Sequence, residues 1–508
     1  MMANTASTAA SEPVDEAPVD EAPVDEAPVD EAPVGEAPAY RWRWAALFVI
    51  LAAEIMDLLD AMVTNIAAPS MRADLGGSES IIQWLGAAYT LAMAVGLITG
   101  GRLGDIFGRK RMFLIGAAGF TAGSLLCAVA QSPEMLIGAR VVQGLFGAVM
   151  LPQGLGMIKE MFPPAEMGKA FGMFGPVMGL SAVGGPILAG WLVEADYWGT
   201  GWRMIFLVNL PLGLAALAAG LRFLPESRSP HPLRLDLGGV VLASVGGFLV
   251  IYPLVQGREH DWPVWAFVML AASAVVFAAF GWFQSRRSRG GGDPLIVPSL
   301  FRKRAFTGGL FTGMVFFSGM AGFMLAFNLY CQIGLHYSAL KAGLVMVPWS
   351  AGMIVGFGVA QPLQKLGRRL LHLGTLVMTL GVLGVLLTLT ITGTQMNPWQ
   401  LVPALLVSGV GMGMLMSPFF DIVLAGVEEH ETGSASGTLT AVQQLGNAFG
   451  VALLGTIFFD LLGDLPTAAS FDQAMKVTLW VVAGMLVVTF AVAFLLPRHA
   501  RENAEAAH

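Results

Sequence analysis

Charge is what this chain of 508 residues has least of. Asp, Glu, Lys and Arg together make up 12% of it, about half the share of an ordinary soluble domain. With 55% hydrophobic residues and a mean hydropathy of +0.68, that shortage excludes a soluble globular protein and leaves a polytopic membrane protein. Cysteine is nearly missing too. Cys127 and Cys331 fall in or beside apolar runs, which argues against a disulfide framework or metal site and for two buried small side chains. The seven histidines are not paired at ligand spacing and no nucleophile motif is present, so neither a cofactor nor enzyme chemistry is expected. Residues 1–40 contain no Lys or Arg and ten Asp and Glu. Without those ten acids the formal net charge of −7 becomes +3, and neither an acidic field steering a soluble ligand nor a nucleic-acid partner is called for.

What is present begins with a variant "EAPVD" repeat over residues 12–38. Such a Pro-rich acidic tract buries too little apolar surface to offset ordering, so 1–40 is expected to be a disordered tail. It lacks the basic start and short apolar core of a cleaved signal peptide, and the first span should remain as a permanent anchor. From Trp44 onward apolar runs recur at 44–66, 81–100, 112–130, 134–157, 169–192, 203–223, 237–256, 263–283, 305–330, 341–362, 370–392, 398–424, 437–460 and 474–496. Each is long enough to cross about 30 Å of hydrocarbon as a helix. The reading is therefore an all-α polytopic membrane protein of fourteen spans. If the N-terminus is cytoplasmic, 22 of the 28 Lys and Arg lie on the inner side, which favours cytoplasmic N- and C-termini. The stretch 284–304, with basic clusters around a short apolar segment, reads as a central connection on the inner membrane surface.

Two segments echo each other. "GKAFGMFGPVMGLSAVGGPILAG" at 168–190 and "GSASGTLTAVQQLGNAFGVALLG" at 433–455 share five residues at one offset, Gly168, Ala170, Gly172, Gly185 and Gly190 against Gly433, Ala435, Gly437, Gly450 and Gly455. "LQKLGRR" at 363–369 is a shortened copy of "LGDIFGRKR" at 103–111. Span two then corresponds to span ten and span five to span thirteen, as in repeat-built secondary transporters. The implied layout is a tail (1–40), a six-helix bundle (41–225), an inserted helix pair (226–290), a cytoplasmic or interfacial linker (291–304), a second six-helix bundle (305–497) and a cytoplasmic tail (498–508). Gly168, Gly172, Gly175 and Gly179 fall on one helical face, for close packing or for sliding.

Ionisable residues deep in a membrane are functional candidates. Glu54, Asp57 and Asp60 follow at steps of three in the first span, so they wind along one side of a helix over roughly 9 Å. Three carboxylates so close should not all be charged at neutral pH, and at least one should have a raised pKa, as a proton carrier needs. A solvated or paired structural role is the competing reading. Arg140, in the fourth span, is the counter-charge, with Gln143 on nearly the same face. The position matching Arg140 in the second half is Leu405, and span nine has no acid before its outer end. That half is expected to supply apolar and aromatic surface, including Phe316, Phe317, Phe323, Phe327, Phe419 and Phe420.

Between spans two and three stands "GRLGDIFGRKR" at 101–111, read as a hydrophilic loop that Gly108 turns before three basic residues. It resembles the GxxxDxxGRK loop of the major facilitator superfamily. "LLDAMVTNIAAP" at 58–69 and "RVVQGLFGAVMLP" at 140–152 are similar to first- and fourth-span motifs of that superfamily's fourteen-span drug/proton antiporter branch. "GGPILAGW" at 184–191 resembles its antiporter motif, "WRMIFLVNLPLG" at 202–213 its pattern at the start of span six, and "YCQIGLHYSALKAGLVMVP" at 330–348 its YxQxxxGxSxxxAGxxxLP pattern. Met62, Ala189 and His336 depart from the usual residues, and Glu54 and Asp57 are additions.

The resemblance implies a major facilitator fold, two six-helix bundles plus two inserted helices. It also implies proton-driven export of hydrophobic or cationic drugs by alternating access. In that family the acid at Asp60 is placed in coupling, the arginine at Arg140 in proton relay and the loop with Asp105 and Arg109 in locking one state. On the reading of the residues themselves, Asp57 and Glu54 join the proton-coupling set, Asn65, Gln143, Asn328 and Gln332 are the substrate-cavity candidates, and Gly101, Gly108, Gly185 and Pro186 join Asp105 and Arg109 as gating candidates. The expected partners are a small amphiphilic substrate, protons and the lipid bilayer, with the protein a monomer. A proton-coupled transporter of a defined metabolite or natural product is the alternative.

Overall fold

The computed structural model describes residues 40–498, apart from 164–165, 168, 171–172, 230–233, 394–395, 426, 429–430 and 464–465. The acidic repeats, all but the first residue of the C-terminal tail, and Gly168 and Gly172 lie outside the described residues. Among those described the structure is helical throughout, without a strand. The long helices are α1 (Arg43–Leu75), α2 (Ser80–Phe107), α3 (Arg109–Ala128), α4 (Pro133–Met161), α5 (Phe174–Ala195) and α6 (Gly201–Phe223). After them come α7 (Leu237–Gln256), α8 (Val264–Arg289), α9 (Arg304–Leu329), α10 (Ala339–Leu366), α11 (Arg368–Thr392), α12 (Pro398–Val423), α13 (Thr432–Asp460) and α14 (Ala468–Val492).

Twelve of these are long and apolar enough to cross a membrane, which makes the chain a multi-pass membrane protein. The expected count was fourteen. The remaining two are α1, whose apolar run is broken by Glu54, Asp57 and Asp60, and α5, whose apolar stretch Gly179–Ala195 is short. Helix α1 runs on to Leu75 rather than ending at 66, because its first stop is Gly76, at φ 75° with its N–H on the Arg72 carbonyl.

Two groups of helices emerge from the packing. In α1–α6, α4 packs against α2 and α3, and α1 against α5 and α6; in α9–α14, α12 packs against α10 and α11, and α9 against α13 and α14. The groups meet along two seams, α2 with α13 and α10 with α5. These are the same pairing with the partners exchanged, as the sequence repeat requires. The pair α7–α8 packs chiefly on itself and touches α2 and α13, so it overlies the first seam and leaves the second bare.

The repeat also shows in the turns. Gly108 (φ 103°) and Gly367 (φ 52°) break the chain between α2 and α3 and between α10 and α11, where a left-handed backbone favours glycine. In each case the next arginine N–H bonds to a carbonyl just beyond the last helix of its own group, Arg109 to Ser227 and Arg368 to Arg498, both at 2.9 Å. The stretch 101–111, read as a loop, is helical on both sides of Gly108, because Arg102, Asp105 and Arg109 find protein partners and the helix need not end to hydrate them. Linker residues Leu295 and Leu300 are 2% and 0% exposed. They pack into protein rather than lying on a membrane surface.

Candidate functional site

The end of the bundle where α1 starts and α2 stops carries the basic clusters and is called the basic end; the opposite one is the far end. Between them, where α1, α3, α4 and α6 converge, lies a buried polar cluster built around Asp60. Helical spacing brings Asp57 and Asp60 inward, at 6% and 2% exposure, while Glu54, one turn nearer the basic end, is half-buried. Arg140 of α4 is 1% exposed and ion-pairs through Nη1 with Asp60 Oδ2. The other carboxylate oxygen, Oδ1, accepts hydrogen bonds from Gln143 Nε2 (2.8 Å) and Asn209 Nδ2 (2.9 Å). Both amides also donate to Ser124 Oγ, at 2.9 and 3.3 Å. Arg140 donates further to Gln143 Oε1 (2.7 Å) and to the Leu85 carbonyl (3.2 Å). Its guanidinium stacks 4.1 Å above the Tyr89 ring, a favourable cation–π placement, and the Tyr89 hydroxyl donates to Asp57 Oδ1.

An ion pair away from water is tolerable only when the remaining donors and acceptors are matched, and here both Asp60 oxygens are. The consequence is chemical. A proton on Asp60 would cancel its charge and leave the Arg140 guanidinium without its counter-ion.

Arg140, expected as the counter-charge to the acids of α1, pairs with Asp60. Asn209, Ser124 and Tyr89 complete the cluster and had not been singled out as site residues. Asn209 lies inside the quoted sixth-span motif, which was its one signal; Ser124 and Tyr89 gave none.

The four residues assigned to a cavity divide. Gln143 belongs to the Asp60 cluster. Asn65 donates to its own helix at the Ala61 carbonyl (3.2 Å). Asn328 and Gln332 of the α9 end reach across to α1, donating to the Asn65 carbonyl (2.6 Å) and the Ile66 carbonyl (2.7 Å). They tie the two groups together toward the far end. The aromatic residues stack on one another: Phe316 on Phe317 at 5.3 Å, Phe317 on Phe419 at 6.1 Å and Phe323 on Phe327 at 5.6 Å. Those five are buried.

The gating candidates fall at two places. At the basic end Arg109 pairs with Asp105 (2.9 Å) and with Glu160 of α4, and Gly101 faces Pro152. Also at that end, Lys303 donates to Glu431 (2.6 Å), which holds its ammonium above the ordinary lysine range. On α5, Gly185 packs on Leu59 and Met62 beside Asp60, and the Pro186 carbonyl lies against Gly343 of α10. Gly190 meets the Leu340 backbone, and the Leu340 N–H donates to Glu194 (2.8 Å). Glycines at 190 and 343 let the two backbones touch where a side chain would not fit.

With the geometry described, the relatives can be placed. The family profile of the Major Facilitator Superfamily matches residues 50–451. The chain belongs to that superfamily and is a membrane transporter rather than an enzyme. It is 53% identical over 439 residues, covering 86% of this chain and 76% of the other, to a "Probable actinorhodin transporter" of Streptomyces coelicolor. It is 34% identical to "Puromycin resistance protein pur8" of Streptomyces alboniger, covering 89% and 91%, and 32% identical to "Multidrug efflux pump LfrA" of Mycolicibacterium smegmatis, covering 82% and 81%. Among solved structures, an auto-inhibited POT family peptide transporter superposes with TM-score 0.64 at 13% identity, over 88% of this chain and 96% of that one, which establishes a shared fold.

Proposed function

We propose that this protein exports hydrophobic or cationic antibiotic-like compounds across the cytoplasmic membrane in exchange for protons, by alternating access. The supporting relatives are named for antibiotic transport, antibiotic resistance and multidrug efflux. In this reading α1 and α5 bring the spans to fourteen, and 22 of 28 basic residues on one side put the basic end and both termini in the cytoplasm. The groups α1–α6 and α9–α14 are the moving bundles, α7–α8 is an insertion, and the protein works as a monomer.

The observation that carries the coupling is the buried Asp60–Arg140 pair. A proton arriving from outside neutralises Asp60 and releases Arg140, Gln143 and Asn209, which then reset the packing of α1 against α4 and α6. Asp57 lies three residues toward the cytoplasm and is joined to the same guanidinium through Tyr89, and Glu54 follows one turn later. These acids form the inward route by which the proton leaves. Cargo occupies the space between the groups when the far-end contacts of Asn328 and Gln332 close it from outside, and the Asp105–Arg109–Glu160 cluster at the basic end holds one state of the cycle.

The test is dye efflux in everted vesicles with and without a protonophore. Accumulation abolished by the protonophore supports the reading, and accumulation indifferent to it ends it. A single dedicated natural product, rather than a drug panel, is favoured by the 53% identity to a relative named for one compound. Displacement of a fluorescent ligand by a panel of cationic, neutral and anionic compounds separates the two.

A further inference from the structure

The α7–α8 pair covers the α2–α13 seam, and its connection is bonded to both helix groups at the far end. Just past α7, Arg258 ion-pairs with Glu79 of the first group (2.8 Å). The same guanidinium donates to the Phe459 carbonyl of the second (3.4 Å) and lies 5.5 Å from the Phe459 ring. Beneath it, Thr456 Oγ1 of α13 donates to the Leu254 carbonyl of α7 (2.5 Å) and accepts from Gln83 Nε2 of α2 (3.2 Å). Glu259 accepts from the Ser80 N–H (3.1 Å). A three-way junction of α2, α7 and α13 results, and Gly247 of α7 sits over Leu91 of α2 and near Leu445 of α13.

At the basic end the pair is rooted in the first group. Arg102 of α2, 5% exposed, donates to the carbonyls of Arg234 (2.8 Å), Asp293 (3.4 Å), Pro294 and Leu295 (3.4 Å). Asp236 accepts from Gly239 N–H (3.0 Å), Gln284 Nε2 (2.8 Å) and Leu295 N–H (3.0 Å). Together these bonds fix both ends of α7 and the inner end of α8. A helix held at its base by one group and at its tip by both resists parting of the tips. Among the described residues the equivalent seam, α5 with α10, has backbone contacts and the bond from the Leu340 N–H to Glu194, and no helix pair laid over it.

We infer that the inserted pair is a strap across one seam and that Arg258 is its latch, which must release Glu79 or Phe459 before the far ends of the two groups can separate. The strap makes opening unequal at the two seams, with the α5–α10 side parting first. This rests on the alternating-access reading, and its distance measurement is independent of cargo.

Nitroxide labels at Ser78→Cys and Asp460→Cys, in a Cys127→Ser/Cys331→Ser background, flank the latch on opposite groups. Their distance distribution is measured in lipid nanodiscs. Arg258→Ala and, separately, Thr456→Val should add or enlarge a longer-distance population, with Arg258→Lys intermediate. Distributions unchanged in both the Ala and Val variants overturn the latch. As a second test, Glu79→Cys with Arg258→Cys is bridged by a bifunctional thiol reagent with a cleavable disulfide in its spacer. Transport should stop on bridging and return on reduction, and transport indifferent to the bridge overturns the proposal. If the distances shift while the unmodified protein shows no protonophore-sensitive efflux, the latch stands and the antiport reading falls.

Discussion

The two helix groups share a packing scheme and differ in what they bury at its centre. In α1–α6 the centre is ionic: Asp60, Arg140, Gln143, Asn209 and Ser124, each at most 2% exposed. In α9–α14, Leu405 and Ser408 stand where the constant offset of 265 puts the counterparts of Arg140 and Gln143, and both are fully buried. Helix α9 has no acid along its length, and phenylalanines fill the space. Removing one partner of a buried ion pair costs about 3–5 kcal/mol, whereas an apolar core of similar shape is stable by itself. The fold therefore does not need the charges, since the second group does without them. Under the proposed exchange, their presence in the first serves the proton that Asp60 takes up and releases.

That contrast can be attacked directly. The largest effect is expected from Asp60→Asn, which keeps the shape and the amide partners while removing the titrating group. Protonophore-sensitive efflux should fall to background at every pH with normal membrane expression, and activity retained across pH would erase the distinction between the groups. Arg140→Ala should abolish coupling as well and lower thermal stability, since it leaves Asp60 buried and unpaired. The double variant Asp60→Asn/Arg140→Ala should be more stable than Arg140→Ala alone, as thermal denaturation in detergent would record. In the apolar group, Phe317→Leu should cost only about 1 kcal/mol of stability and leave the proton dependence intact. A loss of coupling there would break the comparison. Asp105→Asn should slow the cycle several-fold while ligand binding is retained. Within the ionic group, Tyr89→Phe, which removes one hydroxyl from the path between Asp57 and Arg140, should give the smallest effect, a shifted pH profile at nearly full maximal rate.

Much of this was legible because a charge in an apolar run is rare enough to be noticed. Asp60 and Arg140 stand out for that reason, and their meeting in space followed from assigning one the role of counter-ion to the other. Asn209, Ser124 and Tyr89 were not visible in the same way. A neutral polar residue in a transmembrane run is as easily satisfied by its own backbone, as Thr64 and Thr121 are, so its type alone says nothing of its direction. Asn328 and Gln332 read as cavity residues with no partner assigned, and in this structure their amides donate to carbonyls of α1. Arg258 gives no such signal, because its partners, Glu79 and Phe459, lie in distant parts of the chain. The stretch 101–111 was hydrophilic enough to read as a loop, yet helix continues through most of it because Arg102, Asp105 and Arg109 have protein partners.

The paired turns at Gly108 and Gly367 carry a consequence for how the polypeptide can be cut. Each bundle's last segment returns to clasp its own second hairpin, through Ser227 in one case and Arg498 in the other, so each closes its circuit within its own stretch of chain. Fragments 1–236 and 237–508, made as separate polypeptides in one cell, should find each other and restore efflux. A fragment 237–496, shorn of the terminal clasp, should reassemble poorly.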